Sequence, residues 1–517
     1  MPSPRPVLAR LAPAVLAAAL AAPATAAEPA SEPAAAVEAR LEGSVVQVFA
    51  TLREPDPFKP WTKQAPREVS GSGVVIEGKR ILTNAHVVTY ASLVEIQANH
   101  AGDKITATVE AVAPAVDLAV LKLEDASFFD THPPLERAPT LPSVRDSVMA
   151  YGFPAGGSTL SITKGIVSRI EFAPYGLWSA GLRIQIDAAV NPGNSGGPAV
   201  AGDKMIGLVF SSLGGAQNIG YIIPCEEIEL FLADVADGRY DGKPAMYDEI
   251  QTLESEALRP FLRLPKGVEG VVVHRPLFTD PSYPLRQWDV ITRIGDTPVD
   301  DQGMVALPGG PRVRFKYLVQ KLARSGKVPL TVWRGGKEQT IQLPVSSVYP
   351  MLIPDLAGAY PSYFVFGPLV LSAATAQFVN GLSGSGPGGM LGMLTSPLVT
   401  RRLDRPAFPD EELVVVASPL FPHKLSKGYS SPAGRVMRSL NGVAIRNLRH
   451  LMKTLRDAKG EFVTFEFAGR GGEDMVFPRK ETLAATEEIL TDAGIRSQGS
   501  PEAMAVWSGK GRTASAP

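Results

Sequence analysis

The sequence predicts a multidomain chain that begins with an all-β domain and continues into α+β units. Three observations carry this. From Ser44 to Ile223, short apolar runs follow one another, broken by Gly, Pro and Asp, which is the pattern of a β-barrel architecture. From about residue 243, strand-like runs alternate with segments whose apolar residues recur at helical spacing. The 517 residues hold one cysteine, Cys225, so no intrachain disulfide forms and each core must stand without staples.

Residues 1–26 read as a secretory signal. Arg5 and Arg10 precede the Ala/Leu run Leu11–Ala22, and Ala24-Thr25-Ala26 supplies a small-x-small cleavage pattern. The run falls short of the ~20 residues of a membrane-spanning helix. The expectation is export, with a bacterial periplasm as the compartment and no stable membrane span after cleavage. Residues 27–43 are rich in Ala, Glu and Pro and are expected to form a mobile leader with a short helical turn.

Within 44–242, strands are predicted at Val45–Phe49, Gly71–Ile76, Arg80–Thr83, Lys104–Val112, Leu118–Leu123, Ser147–Gly152, Thr159–Ile170, Leu182–Ile186, Met205–Phe210 and Ile219–Ile223. The Pro-rich stretch Glu54–Arg67, with Phe58 and Trp61, reads as a surface loop. A helix closes the domain: Pro224 suits its first turn, Ile228, Phe231, Leu232 and Val235 share one face, and Gly238 stops it. Cys225, at its start, reads as a buried filler. The net charge of −1 argues against nucleic acid as a partner, and the six scattered histidines offer no metal site.

Chemistry concentrates in Asp187–Pro198, Asp-Ala-Ala-Val-Asn-Pro-Gly-Asn-Ser-Gly-Gly-Pro. Ser195 is its one hydroxyl, and Gly193, Gly196 and Gly197 give the backbone freedom to aim N–H groups at a single point. A serine hydroxyl needs a base, and the base needs a group to orient it. His86, in Ile-Leu-Thr-Asn-Ala-His-Val-Val, and Asp117, in Ala-Val-Asp-Leu-Ala-Val-Leu-Lys-Leu, can fill those places. Asn84-Ala85-His86, Asp117-Leu118-Ala119 and Gly193-Asn194-Ser195-Gly196-Gly197 resemble, in this order, the motifs of the HtrA/Deg (Do-like) serine proteases.

That resemblance implies a chymotrypsin/trypsin-like protease domain of two six-stranded β-barrels, with the triad His86, Asp117 and Ser195 in the cleft between them. It places an oxyanion hole at the backbone N–H groups of Gly193 and Ser195. By position relative to the serine, the first substrate pocket maps onto Val190 and Phe210-Ser211-Ser212. Ala189 stands where a trypsin-like enzyme carries an acid, so a modest apolar side chain such as Val, Ala or Leu is expected at the cleaved bond. The loop at 54–67 can, in this family, reach toward the active site.

Residues 243–349 resemble the PDZ module of Deg proteases. Val271–Val273 follows the loop Pro265–Gly270, Asp289–Ile294 reads as a strand, and Phe315, Leu318, Val319 and Leu322 share a helix face. Val328–Arg334 and Glu338–Leu343 form a hairpin closed by Gly335-Gly336. A PDZ module adds an extended peptide to a sheet edge and holds its terminal carboxylate. Gly270, Val271, Val272 and Val273 are the expected receiving edge for C-terminal peptides. Trp288 departs from the family, which usually has glycine before that aspartate.

Residues 350–495 resemble the divergent second PDZ-like domain of the plant-type Deg subgroup, where the unit is associated with oligomer assembly. Asn441-Gly442 and Asn447-Leu448-Arg449-His450-Leu451 carry this likeness; Gly381–Leu394 reads as a loose insertion and 496–517 as a disordered tail. The family implies an ATP-independent endopeptidase of protein quality control that needs no cofactor, acts on unfolded or misfolded proteins and forms trimer-based homo-oligomers. The competing expectation is a proteolytically silent PDZ chaperone or scaffold.

Overall fold

The computed structural model describes residues 34–154, 157, 159–175, 179–212, 219–307, 310–383, 394–469 and 473–509. The expected signal at 1–26, the first part of the leader and the core of the Gly/Ser-rich insertion lie outside the described residues. Among those described, no helix is long and apolar enough to cross a membrane, and no group of His, Cys, Asp and Glu could hold a metal ion.

The first barrel contains β1 (Val45–Leu52), β2 (Arg67–Ile76), β3 (Arg80–Thr83), β4 (Ala91–Ala98), β5 (Ile105–Ala113) and β6 (Leu118–Leu123), closed in the order β1-β2-β3-β6-β5-β4. The second contains β7 (Ser147–Gly152), β8 (Ser161–Pro174), β9 (Ala180–Ile186), β10 (Pro198–Ala201), β11 (Lys204–Ser212) and β12 (Gly220–Pro224), closed as β10-β11-β12-β9-β8-β7. Strand alternation builds two interiors and the seam between them. Val46, Val48, Val75, Ile81 and Ile96 fill the first barrel, and Val148, Leu182, Ile184, Val209 and Ile222 the second. Residues one step out of phase, Val45, Val74 and Leu82 against Leu208, Phe210 and Tyr221, join the barrels with Ile228 and Phe231.

Ahead of β1, the second part of the leader is a helix, Ala34–Gly43, longer than the single turn expected, and it buries Leu41. The closing helix runs Cys225–Asp234 with a 3-10 turn to Asp237, and Gly238 ends it at φ +87°. The Cys225 thiol donates to the Met205 carbonyl at 3.0 Å.

Glu54–Arg67 is neither a free loop nor a reach toward the active site. It docks on the last unit: the Phe58 ring centroid lies 5.4 Å from that of Phe378, and that of Trp61 lies 5.7 Å from that of Phe421. Ser418 Oγ also donates to the Phe58 carbonyl at 2.8 Å.

The middle unit has β13 (Glu249–Thr252), β14 (Val271–Arg275), β15 (Val290–Ile294), β16 (Thr297–Pro298), β17 (Met304–Ala306), β18 (Arg312–Arg314), β19 (Lys327–Arg334) and β20 (Lys337–Pro344), with main sheet order β13-β14-β15-β19-β20. The peptide edge expected at Gly270–Val273 is therefore corrected. β14 is paired on both sides, Ile250↔Val273 to β13 and Val271↔Ile291 to β15, so its backbone groups are spent. Trp288 adopts φ +73°, the left-handed region that explains why glycine usually stands there.

The last unit carries β21 (Tyr363–Phe366), β22 (Leu369–Ala373) and β23 (Val414–Val416), then β24 (Met437–Leu440), β25 (Val443–Ala444), β26 (Phe462–Phe467) and β27 (Met475–Pro478). The expected disordered tail is corrected over residues 496–509. Val365 N–H donates to the Gln498 carbonyl at 2.7 Å, Ser500 N–H to the Tyr363 carbonyl at 3.0 Å, and the helix Pro501–Trp507 sets its Trp507 ring 4.8 Å from that of Phe364. An apolar face and a free strand edge to pair with order this stretch. Residues 510–517 lie outside the described residues.

Candidate active site

Strand register brings His86 and Asp117 together. β3 and β6 pair Ile81↔Leu121, Leu82↔Val120 and Thr83↔Ala119, so the residues beyond Thr83 meet those before Ala119. β3 leads through Asn84 into the short helix Ala85–Val88, which holds His86. Asp117 occupies the turn before β6 at φ +56°. His86 Nδ1 stands 2.8 Å from Asp117 Oδ2, and the His86 backbone N–H donates to Oδ1 at 2.9 Å. A carboxylate only accepts, so Nδ1 carries a proton, and in the neutral imidazole Nε2 is then the acceptor. Asn84, fully buried, donates from Nδ2 to the Asp117 carbonyl at 2.8 Å and braces the left-handed turn.

The serine comes from the loop between β9 and β10, which are not neighbours in their barrel. Asn194 N–H donates to the Asn191 carbonyl at 3.0 Å, and Gly193 has φ +98°, the signature of a type II turn with Pro192 at its second position. Ser195 is half-buried and donates to the Phe210 carbonyl over a long 3.4 Å. Among the described residues no hydrogen bond joins Ser195 Oγ to His86, a looseness common in unliganded sites. The two segments nonetheless abut: a Cβ on Gly71 would meet the Val87 side chain at 2.9 Å and the Ser195 carbonyl at 3.1 Å.

Among the described residues, neither the Gly193 N–H nor the Ser195 N–H donates to protein. Two unspent donors thus flank the hydroxyl. Gly196 serves a different need, since a Cβ there would fall 2.0 Å from the Ser72 carbonyl.

The pocket residues divide. Val190 closes on Gly220, whose Cβ would fall 2.5 Å from Val190 Cγ2. The Phe210 ring does not form a pocket wall and is corrected: strand alternation turns it into the seam, 5.4 Å from the Tyr175 ring and 6.3 Å from that of Tyr221. What Phe210 offers the cleft is its carbonyl. The side chains of Ser211 and Ser212 lie outside the described residues.

In the middle unit the open edge is β13, which the sequence reading missed. It faces a groove of about 530 Å³ lined by Met246, Ile250, His274, Lys316 and Gln320, with Phe172 of β8 opposite. Lys316 Nζ donates to the Met246 and Asp248 carbonyls at 3.1 and 2.9 Å, and burial pushes its amine down to about 8.

Two closed six-stranded barrels, followed by smaller α+β units, define a trypsin-like peptidase with an appended PDZ domain. A family model described as "Trypsin-like peptidase domain" matches residues 71–208, and one described as "PDZ domain" matches 354–502. The chain is 33% identical over 476 residues to "Protease Do-like 2, chloroplastic" of Arabidopsis thaliana, covering 90% of this chain and 76% of that one. It is also 33% identical over 414 residues to "Protease Do-like 4, mitochondrial" of the same plant, covering 79% and 76%. Among solved structures, "HtrA-type protease AlgW with decapeptide" is similar at 25% identity and a TM-score of 0.48, covering 61% of this chain and 99% of that one. The chain belongs to the Do-like (HtrA/Deg) family of serine proteases.

Proposed function

We propose that this protein is an ATP-independent endopeptidase that cleaves unfolded or misfolded proteins in an extracytoplasmic compartment, through an acyl-enzyme. Ser195 Oγ attacks the scissile carbonyl while His86 Nε2 takes its proton and later hands it to the leaving amine. Asp117 holds the imidazole in the needed tautomer and stabilises its charged form. The N–H groups of Gly193 and Ser195 receive the oxyanion. The observation that carries this reading is the 2.8 Å bond between His86 Nδ1 and Asp117 Oδ2, with two unspent donors beside the serine.

Val190 and the absence of an acid at Ala189 favour a modest apolar side chain at the cleaved position. An extended chain would add to the open edge β13. Export to a bacterial periplasm and trimer-based assembly follow from the signal-like residues 1–26 and from the family likeness. A second reading, a chaperone or scaffold at rest, draws on the Ser195 bond to the Phe210 carbonyl instead of to His86.

The test compares wild type with Ser195→Ala on a permanently unfolded model protein. Fragments from the wild type alone are expected, the variant being slower by about 10³-fold or more. Equal fragment patterns from both would remove the hydrolase reading. Labelling of Ser195 by a phosphonofluoridate separates the active form from the resting scaffold.

A further inference from the structure

We infer that Ser72, in β2 of the first barrel, is a positioning residue that sets the oxyanion-binding loop of the second. The inference rests on the roles given above to Gly193 and Ser195. Ser72 is fully buried, with 0% of its surface exposed, so it does not touch substrate. All its polar groups are engaged nonetheless. Its N–H donates to the Ser195 carbonyl at 2.8 Å, and its carbonyl accepts from Thr83 Oγ1 at 2.7 Å. Its hydroxyl donates to the Gly193 carbonyl at 2.7 Å and accepts from the Phe153 N–H, just past β7, at 2.8 Å.

The direction of these bonds is fixed by proton counting. A hydroxyl has one proton, and an N–H can only donate. With Phe153 N–H pointing at Oγ, the single hydroxyl proton goes to Gly193. Three successive peptide planes of the loop are then pinned by their carbonyls: Gly193 and Ser195 by Ser72, and Asn194 by the Gly197 N–H at 3.0 Å. The Asn194 plane carries the Ser195 N–H. The Gly193 N–H sits one hinge away from the plane that Ser72 Oγ holds.

That hinge is a glycine at φ +98°, which has no Cβ to resist rotation. Steric bulk does not hold the donor in place. The turn's own bond, from the Asn194 N–H to the Asn191 carbonyl at 3.0 Å, holds one end of the neighbouring plane. Ser72 Oγ holds the other end from the opposite barrel, and Ser72 is anchored in turn by Thr83 beside the His86 helix.

Kinetics and structure of Ser72→Ala test this together. Its backbone bond to the Ser195 carbonyl persists, so the change removes only the hydroxyl arm. The expected result is a kcat for a peptide substrate lower by roughly tenfold to a hundredfold, short of the 10²–10³ that losing an oxyanion donor outright costs. KM should stay within about twofold, and the pH at half-maximal kcat/KM, which reports His86, should not move. A crystal structure should show residues 192–194 turned away from their present course. Unchanged kcat with the Gly193 carbonyl in place would overturn the inference, and so would a shifted pH profile. If Ser72→Ala does not fold, Thr83→Val keeps the shape of its residue and loosens Ser72 by one bond; about a threefold loss of kcat is expected, and no loss overturns the claim. Ser195→Ala runs alongside. Should it cleave like the wild type, the hydrolase assignment fails, while the loop structure of Ser72→Ala still decides the role of Ser72.

Discussion

The first barrel delivers a finished half of the site and the second an adjustable one. His86 and Asp117 meet because adjacent antiparallel strands end in register, and the turn and the short helix beyond them are a few residues long. Ser195 sits on a loop that joins two strands which do not pair, and its course depends on bonds to Ser72, Val209 and Ile166, from remote parts of the chain. Local register makes the His86–Asp117 pair hard to misplace. The Ser195 loop rests on tertiary bonds instead.

The largest expected effect attacks the finished half. Asp117→Asn keeps the size and the bond to the His86 backbone N–H, but its amide can donate to Nδ1 and favour the wrong tautomer. A fall in kcat of about 10⁴ is expected, with KM little changed. A loss below about tenfold would mean that the pair is not the one that orients the base. Asn84→Ala should cost less. It leaves the Asp117 carbonyl buried without its 2.8 Å donor and frees a turn at φ +56°. A buried acceptor without a partner costs ~1–3 kcal/mol, so kcat is expected to drop about tenfold and the unfolding midpoint to fall. Full activity in Asn84→Ala would show that register alone holds Asp117.

The same contrast explains what the sequence could reveal. Both barrels were legible because β-branched runs between turn residues leave few alternatives to strands. His86, Asp117 and Ser195 stood out as candidates because their motifs are short and contiguous. β4 escaped because its inward residues, Val94 and Ile96, are spaced among exposed and polar ones, and β10 because it is four residues long and begins with proline. In the middle unit the uninterrupted valines of β14 looked like a receiving edge, yet three apolar residues in a row mark a strand covered on both faces. The open edge, Glu-Ile-Gln-Thr, is short and polar, as exposed edges tend to be. Ser72 left only a faint trace, a hydroxyl between two glycines inside a strand. Its meaning depends on Gly193, 121 residues away, which no local pattern reports.

The smallest effect measures how loose the second barrel is. Cys225 lies 5% exposed against Met205 of β11, the strand whose Phe210 carbonyl receives the Ser195 hydroxyl. Burial pushes its thiol up to about 12, so native Cys225 stays un-ionised well past the pH at which a free thiol reacts. An unfolded chain ionises near pH 8.5 and the folded one does not, so the thiol's share of stability is intact below that pH. It is lost progressively as pH rises from about 8.5 toward 12. At pH 8, iodoacetamide is expected to modify Cys225 no faster than global unfolding allows, and quickly in denaturant. Modification well ahead of global unfolding would show the seam opening on the side of the second barrel. The switchable part of the site would then extend from the 187–197 loop into β11 itself.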